Sequence, residues 1–161
     1  MASDQVDQEG YRLNVGIVLL NPADQVLWCQ RYEPADSWQF PQGGLHQGET
    51  AEQAMFRELY EEVGITRDQV RVLAETKSWL RYQLPTQRQF RGQPLVGQKQ
   101  KWFLLRLCSD AVEIRLGAGA HAEFVNWRWV DYWYPKNHIV AFKRDVYQAV
   151  LNEFAVIIEA G

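Results

Sequence analysis

The sequence predicts an α/β fold in which a mixed β-sheet is covered by helices. Strand-like apolar runs occur in both halves of the chain, and helix signals occur in the middle and at the end. The 161 residues, 47% of them hydrophobic, suffice for a substantial core without disulfides or structural metals. We therefore expect one domain over residues 1–161, with its core at about residues 10–154.

The first elements are predicted from apolar runs that are separated by turn residues. Asn14–Leu20 favours a buried strand, and Asn21–Asp24 supplies turn residues before a second strand at Gln25–Arg31. Three glycines within Gln42–Gly48 predict a loop that bends tightly. Strand, turn and strand together predict a hairpin that leads into this glycine-rich loop.

A helix is predicted to start after this loop. Thr50 and Gln53 fit a capping box, in which a hydroxyl and a side chain three residues later satisfy the first free amides. Gly64 is a suitable residue to end the helix, because glycine tolerates the left-handed backbone of a C-terminal cap.

The second half of the chain predicts further strands and a closing helix. Val70–Trp79, Lys101–Leu107 and Phe124–Trp133 have strand-like composition. The polar stretch Pro85–Gln100 predicts a long connection, and such connections often carry function. Pro135–Ile158 has helical spacing of its apolar residues.

Charge and cysteine content restrict the class of protein. A net charge of −3 and a pI of about 5.6 argue against a broad basic surface for nucleic acid, so any RNA contact must be local. Cys29 and Cys108 have no metal-ligand spacing, and we expect two buried thiols in a reducing compartment. The chain has neither a signal-peptide pattern nor an apolar run of membrane length, which predicts a cytoplasmic location.

Three glutamates on the predicted helix are the candidate chemical centre. At 100° per residue, Glu58, Glu61 and Glu62 share about a third of the helix circumference, beside an apolar arc. On spacing alone, a solvated helix face is the commoner explanation. Carboxylates that repel one another, however, are stabilised by a hard cation such as Mg²⁺ or Mn²⁺, which bridges protein carboxylates to substrate phosphates. Arg57 stands four residues before Glu61 and could hold that carboxylate.

The complete pattern is more specific than the glutamates alone. It runs Gly43, five residues, Glu49, seven residues, Arg57-Glu58-Leu59, one residue, Glu61-Glu62, one residue, Gly64-Ile65. This resembles the Nudix box at every defined position. The resemblance implies an α/β/α sandwich with a mixed sheet and a catalytic loop-helix-loop, and hydrolysis of phosphoanhydride bonds with a divalent metal. It further implies that Glu58, Glu61 and Glu62 bind metal, that Glu49 and Arg57 orient the helix, and that the Gly43 backbone approaches the metal.

Other segments resemble one group within that family, the bacterial RNA pyrophosphohydrolases. The likeness extends from about Gly10 to Phe154 and includes Trp38-Gln39-Phe40-Pro41-Gln42 and Gly97-Gln98-Lys99-Gln100-Lys101-Trp102-Phe103. It implies removal of pyrophosphate from RNA 5′ ends, which initiates mRNA decay. By resemblance, Glu123 completes the metal site, and the RNA or its phosphates are bound by Arg12, Arg31, Ser37, Val140, Phe142 and Lys143. An aromatic such as Phe142 can stack on an unpaired base, although a helical aromatic is as often a core residue.

Two other functions are consistent with the same residues. A dinucleoside polyphosphate hydrolase, acting on diadenosine tetra- or pentaphosphate, would use the same box. The other is a metal- or nucleotide-binding module without catalysis. The intact glutamates argue against it, because they suit the open metal site that activation of water needs. His46 lies in the loop and is assigned no role, and the sequence does not identify a protein activator.

Overall fold

A computed structural model of the chain describes residues 4–34, 36–90, 92–117 and 123–161. Over these residues the strands are β1 Tyr11–Leu20, β2 Val26–Arg31, β3 Trp38–Gln39, β4 Gln42–Gly44, β5 Val70–Glu75, β6 Leu80–Phe90, β7 Gln93–Leu107 and β8 Phe124–Val130. The helices are α1 Ala51–Val63, α2 Tyr134–His138 and α3 Arg144–Ala160, with short 3-10 helices at Arg67–Gln69 and Ala141–Lys143.

The strands form one mixed sheet around β1. The order is β3-β2-β1-β7-β5, while β4 also pairs with β1, β6 with β7, and β8 with β2. The β1–β7 pair is parallel, and the other pairs are antiparallel. The predicted mixed sheet is confirmed.

Alternate residues of β1 point to opposite faces of the sheet, as the pleat requires. Val15, Ile17 and Leu19 pack in a core that includes apolar residues of α1. Val18 and Leu20 pack in a second core that includes apolar residues of α3. A helix therefore covers each face of the sheet, and the predicted α/β/α sandwich is confirmed.

Both ends of α1 form as the sequence predicts. The backbone N–H of Gln53 donates to the Thr50 hydroxyl at 3.2 Å, and the Gln53 side chain accepts from the Thr50 N–H at 2.9 Å. Gly64 ends the helix with a φ of 73°, in the left-handed region that glycine favours. These caps fix where the helix begins and ends, and so the direction in which its carboxylates point.

The prediction of a long loop over Pro85–Gln100 is wrong. β6 and β7 form a hairpin there, and the same part of β7 also pairs in parallel with the start of β1, where Tyr11 lies opposite Gly97. Strand partners on both sides of β7 satisfy its backbone, and this overrides the polar composition of the segment. The hairpin rises beside the end of β1 that carries Arg12.

Four further predictions differ from the structure. The glycine-rich loop begins as the short strand β4, because Gln42–Gly44 pairs with β1. The strand expected over Val70–Trp79 ends at Glu75. The stretch predicted as one terminal helix is divided into α2 and α3, since Ile139 takes an extended backbone and is buried. Of the two cysteines Cys29 is buried as expected, whereas Cys108 is exposed.

None of the described helices has the length and hydropathy needed to cross a membrane.

Candidate active site

Helix α1 presents its three glutamates to different environments. Glu58 and Glu62 are buried, with 6% and 4% of their surface exposed, on the side of the helix that packs against the sheet. The Glu61 side chain lies at the edge of this face and is 40% exposed. The acidic residues therefore share one side of the helix, as the spacing predicts, but only two of them have lost most of their water.

Arg57 joins this helix to the loop before it. Its Nε and Nη2 donate to the two carboxylate oxygens of Glu49 at 2.8 and 2.9 Å, and Nη2 also donates to the Gly44 carbonyl at 2.8 Å. Burial alone would raise the pKa of Glu49, but the hydrogen bonds and charge of Arg57 lower it below its usual range. Glu49 in turn accepts from the His46 N–H at 2.8 Å, so the loop is clamped at both ends.

The remaining donor of Arg57 contacts two of the glutamates. Nη1 donates to Glu58 Oε1 at 2.8 Å and to Glu61 Oε2 at 3.2 Å, the second being the pair that the sequence predicts. Within the described ranges, no three His, Cys, Asp or Glu side chains cluster closely enough to hold a metal ion as they stand. The Arg57 guanidinium thus partly neutralises Glu58 and Glu61. A bound divalent cation would draw the same carboxylates closer together.

The buried carboxylates have pKa values far above those of exposed glutamates. Burial raises the pKa of Glu58 to about 7, opposed by Arg57 and reinforced by Glu61 and Glu123. Burial, followed by the charges of Glu123 and Glu58, raises the pKa of Glu62 to about 8. The pKa of Glu123 is also raised, again chiefly by loss of water, although Arg31 and Arg12 oppose the shift. Among the described residues, the nearby cations do not offset the effect of burial and of mutual repulsion on these carboxylates.

Two local features fit a cation at these carboxylates. Among the described residues, Glu62 Oε2 is buried and has no hydrogen-bond partner. A Cβ on Gly43 would collide with the Glu58 carboxyl group, so the main chain runs directly beside this carboxylate. An orphaned carboxylate oxygen and a main chain that borders the acidic group suit a hard cation with oxygen ligands.

A cavity of about 360 Å³ opens beside these features. Its lining includes Glu58, Glu123 and the backbone of Gly43; we call these the acidic wall, together with Glu61 and Glu62 from the same side of α1 behind the lining. Its basic wall carries Arg12 from β1, Arg31 from β2 and Lys143 from the 3-10 helix before α3. A broader cavity of about 450 Å³ lies behind the Asp4–Gly10 segment, and no basic side chain is among the described residues that line it.

Lys143 is an unusual member of the basic wall because it is buried. Its Nζ donates to Gln39 Oε1 at 3.3 Å and lies 5.6 Å from the centre of the Tyr82 ring. Burial and the nearby Arg31 lower the pKa of Lys143 to about 8, against a smaller opposing effect of Glu123. No described carboxylate is in direct contact with this buried ammonium, which favours the binding of an anion.

The other residues assigned to RNA divide into two groups. Phe142 lines the cavity, half-buried, with its ring 5.5 Å from that of Tyr82, so it both packs and faces the opening. Ser37 and Val140 are not among the residues that line the cavity. Ser37 lies behind Arg31, whose N–H donates to its carbonyl at 2.7 Å, and exposed Val140 accepts from the Lys143 N–H. These two residues flank the basic wall.

Several lining residues were not identified from the sequence. Asn14 and Gln42 line the cavity and belong to a buried amide cluster, in which Gln100 Nε2 donates to Asn14 Oδ1 at 2.8 Å and to Gln42 Oε1 at 3.3 Å. Tyr82 and Arg88 come from strand β6, and only Arg88 lies in the stretch that was predicted to be a loop. Asp4 and His46 complete the rim. Periodicity gives no signal for any of them, because they converge only through strand pairing.

Comparisons with known proteins agree with this geometry. The NUDIX domain family matches residues 10–150. The chain is 54% identical to the RNA pyrophosphohydrolase of Escherichia fergusonii over 157 residues, covering 96% of this chain and 89% of that protein. It is 54% identical to the protein of the same name from Shewanella denitrificans over 152 residues, covering 93% and 88%.

Solved structures share the fold at lower identity. A Caenorhabditis elegans Ap4A hydrolase in a binary complex superposes with a TM-score of 0.68 at 22% identity, covering 92% of this chain and 98% of that one. The Escherichia coli dihydroneopterin triphosphate pyrophosphohydrolase gives 0.68 at 21% identity, covering 88% and 95%. The extent of the family match and the identity of the relatives establish that this chain is a member of the Nudix hydrolase family.

Proposed function

We propose that this enzyme hydrolyses the 5′-triphosphate or 5′-diphosphate of RNA to a 5′-monophosphate, with Mg²⁺ or Mn²⁺ as cofactor, and so opens mRNA to decay. The proposal rests on one observation: residues of the acidic wall, the basic wall and the aromatic ring of Phe142 line the same cavity. Relatives that match 96% of the chain at 54% identity bear the name RNA pyrophosphohydrolase, which supports this substrate.

On the acidic wall, Glu58, Glu61, Glu62 and Glu123, with the Gly43 backbone, are proposed to hold the divalent cation. The raised pKa values of Glu58 and Glu62 and the orphaned Oε2 of Glu62 support this assignment. When bound, such an ion neutralises phosphate oxygens and lowers the pKa of a water molecule for attack on phosphorus. The half-exposed Glu61 can turn away from Arg57 Nη1 while Arg57 keeps both contacts with Glu49.

On the basic wall, Arg12, Arg31 and Lys143 are proposed to bind the 5′ phosphates. Guanidinium groups suit this task because they present paired donors to phosphate oxygens. Phe142 is proposed to stack on an exposed terminal base, with Val140 and Ser37 beside it, since RNA ends are recognised in single-stranded form. These contacts are local, as the net charge of −3 requires.

The proposal is tested by incubating the purified protein and Mg²⁺ with a 5′-triphosphorylated oligonucleotide. We expect a 5′-monophosphorylated product, and we expect chelator to stop its formation. Binding of the oligonucleotide without turnover would contradict catalysis and would support a binding module.

Diadenosine tetraphosphate serves as the competing substrate in the same assay. The specificity constant kcat/KM decides between them, because it measures differential stabilisation of the transition state. We expect the larger value for RNA. A larger value for the dinucleotide would instead identify a dinucleoside polyphosphate hydrolase.

A further inference from the structure

The segment Asp4–Gly10 folds back along the rim of the active-site cavity. Asp4 pairs with His46 and Val6 with Arg12 in isolated antiparallel bridges. The Gln5 N–H donates to the Leu45 carbonyl at 2.8 Å, and Gln5 Nε2 donates to the His46 carbonyl at 2.8 Å. The segment is therefore attached both to β1 and to the loop that leads into α1.

This attachment points the Asp4 carboxylate into the cavity. Asp4 Oδ2 accepts from Arg12 Nη2, and Asp4 Oδ1 lies 3.7 Å from His46 Nε2. The side chain is only 13% exposed and packs against Gly44, where an added Cβ would come within 2.7 Å of it. An anion of the protein thus lies beside one of the arginines assigned to the 5′ phosphates.

We propose that Asp4 is an internal competitor for the phosphate at Arg12 and makes the site discriminate against RNA with a 5′ monophosphate. The inference rests on the proposed function of the cavity. A phosphate must displace the carboxylate from Arg12, and the released Asp4 then shares the cavity with Glu58 and Glu123. The attraction gained by a polyphosphate exceeds that gained by a monophosphate, because it carries more negative charge along its chain.

The exchange has a direct consequence for turnover. A polyphosphate end engages the whole basic wall, which outweighs the loss of the Asp4–Arg12 pair. The monophosphorylated product makes fewer such contacts, so Asp4 returns to Arg12 and the product leaves. Asp4 is thus a specificity-determining residue that acts before and after the chemical step.

Asp4→Asn keeps the size of the side chain and removes its charge. The measurements are KM for a 5′-triphosphorylated oligonucleotide and the inhibition constant of the monophosphorylated oligonucleotide of the same sequence. We expect the inhibition constant of the product to fall about 10-fold. This corresponds to a gain of roughly 1.4 kcal/mol in binding free energy when Asp4 no longer competes for Arg12. KM for the triphosphate should fall by less, so the ratio of the two constants separates discrimination from a general gain in affinity.

Glu9→Gln is the matched control. It makes the same change of charge on the same segment, but Glu9 lies 3.6 Å from Arg81 and is not among the residues lining the active-site cavity. We expect both constants to stay at their wild-type values. If Glu9→Gln tightened product inhibition as much as Asp4→Asn does, the effect would come from net charge alone, and the inference would be overturned.

A double-mutant cycle with Arg12→Ala tests whether Asp4 acts through Arg12. The effect of Asp4→Asn should largely vanish in the Arg12→Ala background, since the two residues are in contact. An undiminished effect there would overturn the inference. So would weaker binding of both oligonucleotides to Asp4→Asn, because Asp4 would then hold Arg12 in place for substrate.

Calorimetric titration with inorganic triphosphate and with inorganic phosphate separates this inference from the proposed function. Failure of the wild-type enzyme to process RNA would remove the proposed function. Tighter phosphate binding by Asp4→Asn than by wild type would still support competition at Arg12. Equal phosphate binding by the two proteins would contradict it.

Discussion

The acidic and basic walls of the cavity are perturbed in opposite directions by one cause, burial, which raises the pKa of Glu58 and Glu62 and lowers that of Lys143. On the acidic wall, buried Glu58 and Glu62 repel one another and Glu123, and Arg57 reaches only part of this charge. On the basic wall, Lys143 is buried beside Arg31 and has a lowered pKa. A cation would relieve the first wall and an anion the second. A metal-bound polyphosphate would supply both at once, so the two walls together select one class of ligand.

The largest expected effect comes from Glu62→Gln, which removes charge from the acidic wall and keeps its shape. We expect kcat to fall by at least about 100-fold, since even residues that only support metal ligands contribute about 10- to 100-fold. The folded state should not lose stability, because a buried charge is removed. Steady-state kinetics and thermal denaturation measure the two effects.

Glu52→Gln is the control for that substitution, because Glu52 is exposed in the first turn of the same helix. We expect nearly wild-type kcat. Full activity in Glu62→Gln would remove this residue from the metal site.

The acidic wall also predicts how stability depends on pH without metal. In the folded chain Glu58 and Glu62 release their protons near pH 7 and pH 8, whereas the reference pKa is 4.5. Between these values the folded state holds more protons than the unfolded state, so the free energy of unfolding should fall as pH rises from about 5 to about 8. Each pKa unit corresponds to about 1.4 kcal/mol, which makes the fall measurable by denaturant titration.

Divalent metal should reverse this trend, because metal and protons compete for the same oxygens. We expect Mg²⁺ to stabilise the chain more at about pH 8 than at about pH 6. Stabilisation that is independent of pH would mean that the cation binds away from these carboxylates.

Lys143→Met tests the basic wall with a side chain of similar length. We expect KM for RNA to rise about 10-fold, as for loss of one hydrogen bond to a charged group. Because the pKa of Lys143 is lowered to about 8, the wild-type KM should also rise above that pH, and the variant should not show this rise. Lys77→Met, at an exposed site, should leave KM unchanged. A pH profile shared by both variants would assign the titration to another group.

Arg88→Gln is expected to have the smallest effect. Arg88 is exposed on the β6–β7 hairpin and lines the cavity. Loss of one phosphate contact with single-stranded RNA should lower the slope of log KM against log salt concentration by about 0.7. Arg71→Gln, on β5, is the control. An unchanged slope in Arg88→Gln would show that the hairpin does not contact the RNA backbone.

The sequence predicted the acidic wall better than the basic wall, for a physical reason. Glu58, Glu61 and Glu62 share one helix whose ends are set by Thr50 and Gly64, so local spacing determines their common face. Arg12, Arg31 and Lys143 lie on three elements that converge through sheet pairing and helix packing. Their places in the sequence carry no local signal, and the resemblance to a family identified them.

The β6–β7 hairpin was mispredicted because it depends on partners that are distant in the sequence. Polar composition favours a loop over Pro85–Gln100, but β1 and β6 supply backbone partners that the composition does not reveal. Arg88, which lies within this segment and lines the cavity, was missed for this reason. The capping box and the C-terminal glycine of α1 need no distant partner, and both predictions are confirmed.

Strand β7 divides its length between two tasks. Its second half, with Trp102, Phe103 and Leu104, is buried between the two layers of helices. Its first half pairs with β6 as one side of the hairpin beside the opening, and from Gly97 onward it also pairs with β1. Substitutions near the tip can therefore alter which RNA ends are accepted while the folding core stays intact. Substitutions in the two halves of one strand can therefore change substrate choice and thermodynamic stability independently.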